Sequence, residues 1–278
     1  MPRTTAPLRT PRLIPLIPLP RGMARALLLA LLAPAAAAAQ GTAGWCDDAG
    51  SSDHCEVREF TLEARNGALE VNARPNGGIR VEGWDGTEIR VQVRVTTRAR
   101  TDRDAQELAR EVEVLSAPGR LSTEGPRTGG RTSWSVSYRI QVPVGTELDL
   151  STTNGGISVT GVRAAVEVRS TNGGIRLEDV EGPVRARTTN GGVQAYFSPG
   201  AALQHGTDLH TTNGPVSLHL PAGVSARIEA STRNGGITTD FPITVLGRLG
   251  RHLSGVLGEG GPEIRIRTTN GPVRIRRI

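Results

Sequence analysis

The chain has 278 residues and a formal net charge of +6, and its 33 basic side chains are all arginine because lysine is absent. Only 3% of the residues are aromatic, which argues against a surface that stacks nucleic-acid bases or sugar rings on flat side chains. With 37% hydrophobic residues the chain is not disordered throughout, and its 35 glycines, which follow no Gly-X-Y period, predict a β-rich protein with many tight turns.

Residues 1–39 are typical of a secretory signal peptide. They hold five arginines and no acidic residue, and a leucine-rich run leads into an alanine tract that ends at Ala39. This run is shorter than the ~20 apolar residues that span a membrane, and Met23 is an alternative start that gives a more compact basic segment. Cleavage after Ala39 removes five basic residues and leaves 28 against 27 acidic ones, a net charge of +1. The charge therefore gives no argument for nucleic-acid binding.

Residues 40–58 are predicted to form a polar loop that contains the only two cysteines, Cys46 and Cys55. Two cysteines nine positions apart in an exported chain predict a disulfide bond. A metal site is the alternative, although the spacing of the nearby polar residues matches no known ligand motif. The residues that would contribute to such a site are His54, Asp47, Asp48 and Asp53.

Residues 59–148 are predicted to form an irregular β part. Their strand-like segments alternate apolar and polar residues, and Asn76 opens an Asn-Gly-Gly-Ile-Arg-Val unit. The alternation stops after Thr101, which is a candidate cap for a short helix with Asp102 and Asp104 in its first turn. No linker separates this part from the rest of the chain, so we expect one continuous domain.

Residues 149–278 contain a regular repeat. Eight of the nine asparagines in the chain precede a glycine, and Thr-Asn-Gly-Gly or a close variant recurs at intervals of 18, 18, 23, 21 and 36 residues. Each unit supplies two short alternating segments, which are typical of half-buried strands. Self-similarity near 20 residues predicts stacked structural units. The asparagines predicted to lie at structural corners are Asn76, Asn154, Asn172, Asn190, Asn213, Asn234 and Asn270.

Two all-β architectures fit this repeat. Asn-Gly between alternating segments is a strong hairpin signal, which predicts an antiparallel meander or sandwich. A β-solenoid instead stacks each unit as one coil at ~4.8 Å and aligns identical corner asparagines as amide ladders. We favour the solenoid because the same residue types recur at a near-constant interval. Glu167 is then expected to stack over Arg185. The five arginines between Arg265 and Arg277 are expected on a terminal coil, where they contact acidic polysaccharide or lipid or shield an exposed edge.

The motifs together resemble one bacterial family. Gly-Gly-Ile-Arg-Val-Glu-Gly-Trp-Asp-Gly at 77–86, Val-Pro-Val-Gly-Thr-Glu-Leu-Asp-Leu at 142–150 and the serial Thr-Asn-Gly-Gly units are similar to the adhesin-like, β-strand-repeat family called domain of unknown function 4097. The resemblance covers residues 56–278. It implies a right-handed β-solenoid, with short strands and Asn-Gly-Gly corners, in an envelope or secreted protein. It brings no catalytic motif and no established enzyme activity.

The sequence contains no recognisable catalytic constellation. No metal-ligand spacing relates the five histidines, and a phosphate-binding loop that ends in Gly-Lys is impossible without lysine. The densest acidic cluster in the repeats, Glu178, Asp179 and Glu181, occupies one bend and lacks the facing carboxylate that a glycosidase needs. We therefore predict no catalytic, cofactor or metal site. The histidines are His54, His205, His210, His219 and His252.

The leading hypothesis is an exported, non-enzymatic β-solenoid of the bacterial cell envelope with an adhesin-like binding or structural role. No segment after the signal peptide is long and apolar enough to span a membrane, so the periplasm, the outer cell surface or the medium is the expected location. Its partner is expected to be an envelope protein or polysaccharide and not nucleic acid. The alternatives are a carbohydrate-active solenoid enzyme and a partner-sensing module in envelope stress signalling.

Overall fold

The computed structural model of the chain describes residues 44–47, 50, 53–63, 67–198, 204–242, 244–245 and 250–278, which belong to one compact unit. The predicted signal peptide lies outside the described residues. Within them the regular secondary structure is β-strand apart from one helix, which confirms the predicted all-β class. No helix in this part of the chain is long and apolar enough to cross a membrane.

The strands and the helix follow one another in this order: β1 (Asp53–Glu63), β2 (Ala68–Asn72), β3 (Ile79–Trp84), β4 (Glu88–Arg98), α1 (Asp102–Glu111), β5 (Glu113–Ala117), β6 (Arg120–Glu124), β7 (Ser133–Pro143), β8 (Glu147–Asn154), β9 (Ile157–Thr160), β10 (Val166–Asn172), β11 (Ile175–Glu178), β12 (Val184–Asn190), β13 (Val193–Tyr196), β14 (Thr207–Asn213), β15 (Val216–Leu220), β16 (Ala226–Asn234), β17 (Ile237–Thr239), β18 (Thr244–Val245), β19 (His252–Leu257), β20 (Glu263–Asn270) and β21 (Val273–Arg277).

Two sheets contain all of these strands. Sheet A has the order β1-β4-β7-β3-β9-β11-β13-β15-β21-β17, and sheet B has the order β18-β19-β16-β20-β14-β12-β10-β8-β2-β6-β5. From β8 to β15 successive strands alternate between the sheets, and each strand pairs in parallel with its equivalent in the next unit. This parallel register fits the stacked coils of the solenoid hypothesis and not an antiparallel meander. The right-handed path stays a prediction.

Aliphatic columns fill the space between the two sheets. Ile157, Ile175, Val193 and Val216 lie in one register across β9, β11, β13 and β15. All four are at most 2% exposed, and burial of each such side chain stabilises the fold by about 1.5–3 kcal/mol. The outward residues of the same strands are polar, so the period-2 alternation read from the sequence assigns the core face correctly.

The last coil does not lie at the end of the stack, and that prediction is wrong. β20 pairs in parallel with both β14 and β16, and β21 lies between β15 and β17. The physical reason is that β19 returns antiparallel along the other edge of β16 and occupies it. The final coil therefore inserts between two earlier ones. Its arginines shield no outer edge, and Arg265 is instead paired with Glu229 and Glu263.

The amino-terminal part differs from the prediction in where its strands begin. Residues 53–58, predicted as part of a loop, belong to β1, which pairs along its whole length with β4. The helix predicted after Thr101 is confirmed as α1, and the Thr101 hydroxyl accepts a hydrogen bond from the Asp104 amide at 3.2 Å. Arg58 of β1 donates to the carbonyls of Ala109 and Val112 at the end of this helix, and so fixes the helix on the sheet.

Candidate functional site

Seven asparagine side chains form a continuous ladder where strands of sheet B end. In each step the Nδ2 group of one asparagine donates to the Oδ1 atom of the asparagine that precedes it along the ladder, at 2.7–2.8 Å. A hydrogen bond of this kind contributes about 0.5–1.5 kcal/mol, and its repetition favours one register of stacking. The order along the ladder is Asn76, Asn154, Asn172, Asn190, Asn213, Asn270 and Asn234.

The first glycine after each asparagine stacks too closely on its neighbour to carry a side chain. A Cβ atom at Gly173 would lie 2.0 Å from the carbonyl oxygen of Gly155, and one at Gly214 would lie 2.1 Å from that of Gly191. Two residues before each asparagine except Asn76, a hydroxyl group donates to the same row of carbonyls, as Thr188 does to Gly173 at 2.8 Å. Glycine and hydroxyl together close the turn and satisfy its backbone.

In four units the second glycine lies directly before a strand of sheet A. These glycines form a row without side chains, which we call the glycine lane. The row consists of Gly78, Gly156, Gly174 and Gly192. The residue after each of the first three donates its backbone N–H to the carbonyl oxygen of the next glycine in the row. A Cβ atom at Gly174 would meet its nearest neighbouring atom at 3.5 Å, which is ordinary contact. In the order of the stack, the next two units have Pro215 and Pro272 at this position, and the last unit has Gly236. Close packing therefore does not impose glycine at position 174, whereas a Cβ atom would be tighter at Gly78 and Gly192, at 3.3 and 3.2 Å from the nearest carbonyl oxygen. The four glycines together leave the lane open.

The outer face of sheet B neutralises most of its own charge. Arg169 pairs with Asp149 at 2.8 Å and with Glu167 at 2.6 Å, and Arg187 pairs with Asp208 at 3.1 Å. The predicted stack of Glu167 over Arg185 is confirmed by the strand register, although the charged atoms are 3.9 Å apart. Exposed pairs of this kind contribute at most ~1 kcal/mol each, so they set the charge of the face more than its stability.

Sheet A instead presents a cluster of arginines around Trp45. Arg80 of β3 and Arg139 of β7 are neighbours in register on the outer face. Neither forms an ion pair with a carboxylate of the described residues within 4.0 Å. The Arg139 guanidinium lies 4.0 Å from the Trp45 ring centroid, and Arg94 donates to the Trp45 carbonyl at 2.7 Å. Burial lowers the pKa of Arg139, and the nearby charges of Arg80 and Arg94 lower it further, whereas the charge of Glu82 raises it.

The disulfide bond attaches this cluster to β1. The predicted Cys46–Cys55 disulfide is confirmed, and it joins the residue after Trp45 to a residue within β1. Trp45 is 9% exposed and packs against Arg139. The bond therefore holds a tryptophan over the arginine cluster. No group of three or more potential metal ligands occurs in the described part of the chain.

A groove runs from this cluster along the glycine lane. It has a volume of ≈ 570 Å³, and none of the side chains that line it is acidic. Arg176 in its wall is held by Glu178 and by Gln194, whereas Arg80 at its end has no carboxylate partner. We call this surface the arginine groove and define it by Trp45, Gly78, Arg80, Arg139, Gly156, Ser158, Gly174, Arg176, Gly192 and Gln194.

Tyr196 and His219 continue the same face beyond the groove. Their rings stack at a centroid distance of 4.1 Å, and Arg176 lies 4.8 Å from the tyrosine ring. His219 points outward between the buried Leu218 and Leu220, as the alternation predicts. Burial lowers the pKa of His219, and the charges of Arg276 and Arg176 lower it further.

The carboxylates of the predicted acidic cluster, Glu178, Asp179 and Glu181, each have their own local partner. Glu178 is bound to Arg176, and Asp179 occupies the left-handed region with φ 54° at the bend. Glu181 pairs with Arg163 at 3.4 Å. Asp179 accepts a hydrogen bond from the Ser198 hydroxyl, so the three carboxylates are used in separate local contacts.

Comparison with models of protein families identifies the family of this chain. The model described as Toastrack DUF4097 matches residues 52–276. The chain belongs to this family. The resemblance read from the Thr-Asn-Gly-Gly units is thereby confirmed. Among curated proteins, none matches the chain.

Solved structures similar to this Toastrack chain include proteins from Clostridium, Bacteroides and Parabacteroides species. A "putative cell adhesion protein" from Clostridium sporogenes is 15% identical with a TM-score of 0.45, and the match covers 81% of this chain and 100% of that one. A "putative adhesin" from Bacteroides fragilis is 10% identical with a TM-score of 0.44 over 81% and 97% of the two chains. A "putative lipid binding protein" from Parabacteroides distasonis is 12% identical with a TM-score of 0.34 over the same shares.

The arginine groove of this Toastrack chain was missed by reasoning from sequence. Arg80 and Arg139 are distant in the chain, and only the parallel pairing of β3 with β7 brings them together. One signal was available, because the second position after the asparagine is glycine at 78, 156, 174, 192 and 236 and proline in two other units. Side chains at this position are compatible with the turn, so the repeated glycine indicates a surface that is kept open.

Reduction or removal of the disulfide is expected to release Trp45 from the cluster. In the double variant Cys46→Ser, Cys55→Ser, tryptophan emission is expected to shift to longer wavelength, and the free energy of unfolding to fall by about 2–3 kcal/mol. The same pair of substitutions in a Trp45→Phe background serves as the control, because the spectral shift should then disappear. An unchanged emission spectrum in the double variant would contradict this role of the bond.

Proposed function

We propose that the chain is an exported, non-enzymatic binding protein of the bacterial cell envelope with an adhesin-like role. In this proposal residues 1–39 are its signal peptide and residues 40–58 are a cysteine-containing amino-terminal segment. Residues 59–148 and 149–278 form one continuous right-handed β-solenoid domain whose Asn-Gly-Gly corners hold the stack. Its location is the periplasm, the outer cell surface or the medium. The disulfide supports export, because such bonds persist in oxidising compartments.

One observation carries the binding role, namely the contrast between the two outer faces. On sheet B Arg169 and Arg187 pair with carboxylates of the same face, whereas on sheet A Arg80 and Arg139 lie side by side without an ion pair among the described residues. Unpaired guanidinium groups on a rigid sheet can form charge-assisted, bidentate hydrogen bonds to an anionic partner. The lining of the arginine groove offers no acidic side chain for acid–base catalysis, which supports binding without turnover.

An immobilised, purified chain tests this function directly. It is incubated with a panel of purified envelope polysaccharides and with a detergent extract of cell envelopes, and both retention and product release are measured. Retention of a component without release of shortened products is the expected result. Cleavage of any glycan would overturn the non-enzymatic role, and failure to retain any component would overturn the binding role. Fractionation of cells, with the mass of the mature amino terminus, tests export and cleavage after Ala39.

A further inference from the structure

We propose that the arginine groove binds a linear polysaccharide that carries carboxylate groups, with one carboxylate held between Arg80 and Arg139. This inference rests on the proposed binding function and names its site and ligand class. It follows from three features of the described residues: the unneutralised arginine pair, the glycine lane beside it, and the order of polar side chains that continues along the sheet.

The arginine pair forms the anionic subsite. Arg80 and Arg139 extend from adjacent parallel strands, which lie ~4.8 Å apart, so a single carboxylate can accept hydrogen bonds from both. Trp45 contacts the Arg139 guanidinium at 4.0 Å and restricts its motion before a ligand binds. Burial first, and then repulsion by the charges of Arg80 and Arg94, lower the pKa of Arg139, and the charge of Glu82 partly offsets this repulsion. A bound anion relieves this repulsion.

The glycine lane forms the floor on which the chain of sugars lies. At Gly156 and Gly174 no side chain separates a ligand from the backbone, and such positions allow a close approach. The glycine lane lies where the strands of sheet A begin and runs across them from strand to strand. An extended polymer on it would therefore run along the stack and contact one protein unit after another. The low aromatic content fits this mode, because the rings would be held through their hydroxyl groups and charges.

The order of side chains beside the lane suits a polymer that combines charge with hydroxyl groups. Arg80, Ser158, Arg176 and Gln194 occupy consecutive register positions on β3, β9, β11 and β13. Cationic groups thus alternate with neutral groups that can hydrogen-bond to sugar hydroxyls. A flat membrane surface could meet the outer arginines but could not reach the glycine floor. An acidic peptide lacks the hydroxyl groups that Ser158 and Gln194 would bind.

Affinity measurements with polygalacturonate oligomers test the site. Arg80→Gln and Arg139→Gln are each expected to weaken binding about tenfold, because each removes a charge-assisted hydrogen bond. Arg227→Gln is the matched control, since Arg227 is an exposed arginine of β16 in sheet B with no carboxylate ion pair in the described part of the chain. It should bind like the unaltered protein. Equal weakening in all three variants would show a general charge effect and overturn the proposed site.

A substitution in the glycine lane provides a second test of the binding site, and it leaves every charged side chain in place. Gly174→Ala is expected to lower affinity several-fold while the thermal unfolding midpoint stays the same or rises, because its Cβ atom fits at 3.5 Å. Unchanged affinity would overturn the role of the lane. Circular dichroism of each variant confirms that binding is compared between folded proteins.

Three further probes separate the ligand classes. Dextran is uncharged, poly-glutamate carries carboxylates without sugars, and vesicles of phosphatidylglycerol present an anionic membrane. The proposal expects polygalacturonate to bind more tightly than all three. Tighter binding of poly-glutamate or of the vesicles would overturn the ligand class. If polygalacturonate does not bind while an envelope component is still retained by the immobilised chain, the ligand inference fails and the proposed envelope-binding function stands.

Discussion

Deletion of residues 261–278 is expected to abolish cooperative folding of the repeat region and not merely to shorten it by one unit. These residues form the last coil, whose strand β20 lies between β14 and β16 and whose strand β21 lies between β15 and β17. Their removal leaves a gap inside both sheets. In an ordinary repeat stack the last unit contacts only one neighbour, so truncation there would be much milder.

The size of this effect follows from what the coil buries. Ile264, Ile266, Val273 and Ile275 have no exposed surface. Loss of four such side chains at about 1.5–3 kcal/mol each is comparable with the 5–15 kcal/mol that stabilises a typical domain. The deletion also removes Asn270, which links Asn213 to Asn234 in the amide ladder.

Urea unfolding followed by circular dichroism measures the outcome. The truncated chain is expected to lack a cooperative transition, while deletion of Ile278 alone should leave the midpoint nearly unchanged because this residue is half exposed and follows β21. A truncated chain that unfolds cooperatively near the midpoint of the full chain would show that β14 and β16 close the gap by pairing directly. That result would contradict the expectation.

The strand register was predictable because the repeat constrains it twice. Alternation assigns one side of each strand to the core, so a shift by one residue would expose Ile175 and bury Arg176. The asparagine at the end of each repeat strand of sheet B then gives the same register again through the amide ladder, as for Asn172 between Asn154 and Asn190. These strands are β8, β10, β12, β14, β16 and β20. Two independent constraints agree on one alignment, which is why the parallel stack follows from sequence.

The position of the last coil was not predictable in this way. Thr268 and Asn270 belong to the same motif as every other unit, so their local chemistry fits beside any neighbour in the stack. The choice is made by β19, which pairs with the outer edge of β16 and leaves only its inner edge for β20. That pairing depends on residues outside the repeat, where no periodic pattern reveals the partner.

The arginine groove was hidden for a different reason. A net charge near zero for the predicted mature chain suggested no charged surface, yet the balance conceals a separation between two faces. Carboxylates such as Asp149 and Asp208 neutralise arginines of sheet B, whereas Arg80 and Arg139 of sheet A have no such partner among the described residues. The net charge of the sequence adds the charges of both faces together. The charge of each face becomes known only when the strands are assigned to their sheets.

Gly173→Ala and Gly174→Ala are expected to have opposite effects on stability although the two residues are adjacent. A Cβ atom at Gly173 would lie 2.0 Å from the Gly155 carbonyl oxygen and 2.5 Å from its carbon, and both belong to backbone that cannot move without breaking the stack. The expected cost is about 3 kcal/mol. At Gly174 the nearest atom is 3.5 Å away, and lower entropy of the unfolded chain gives a gain of about 0.4–1 kcal/mol.

Urea unfolding of both variants beside the unaltered chain measures this difference. The comparison is internally controlled, because both substitutions add one methyl group within the same turn of the same unit. Equal destabilisation would show that the turn tolerates no side chain at either position, and glycine at 174 would then be explained by the fold. The expected divergence instead separates the two glycines by role: the first permits the units to stack, and the second keeps the lane beside the arginine cluster free of side chains.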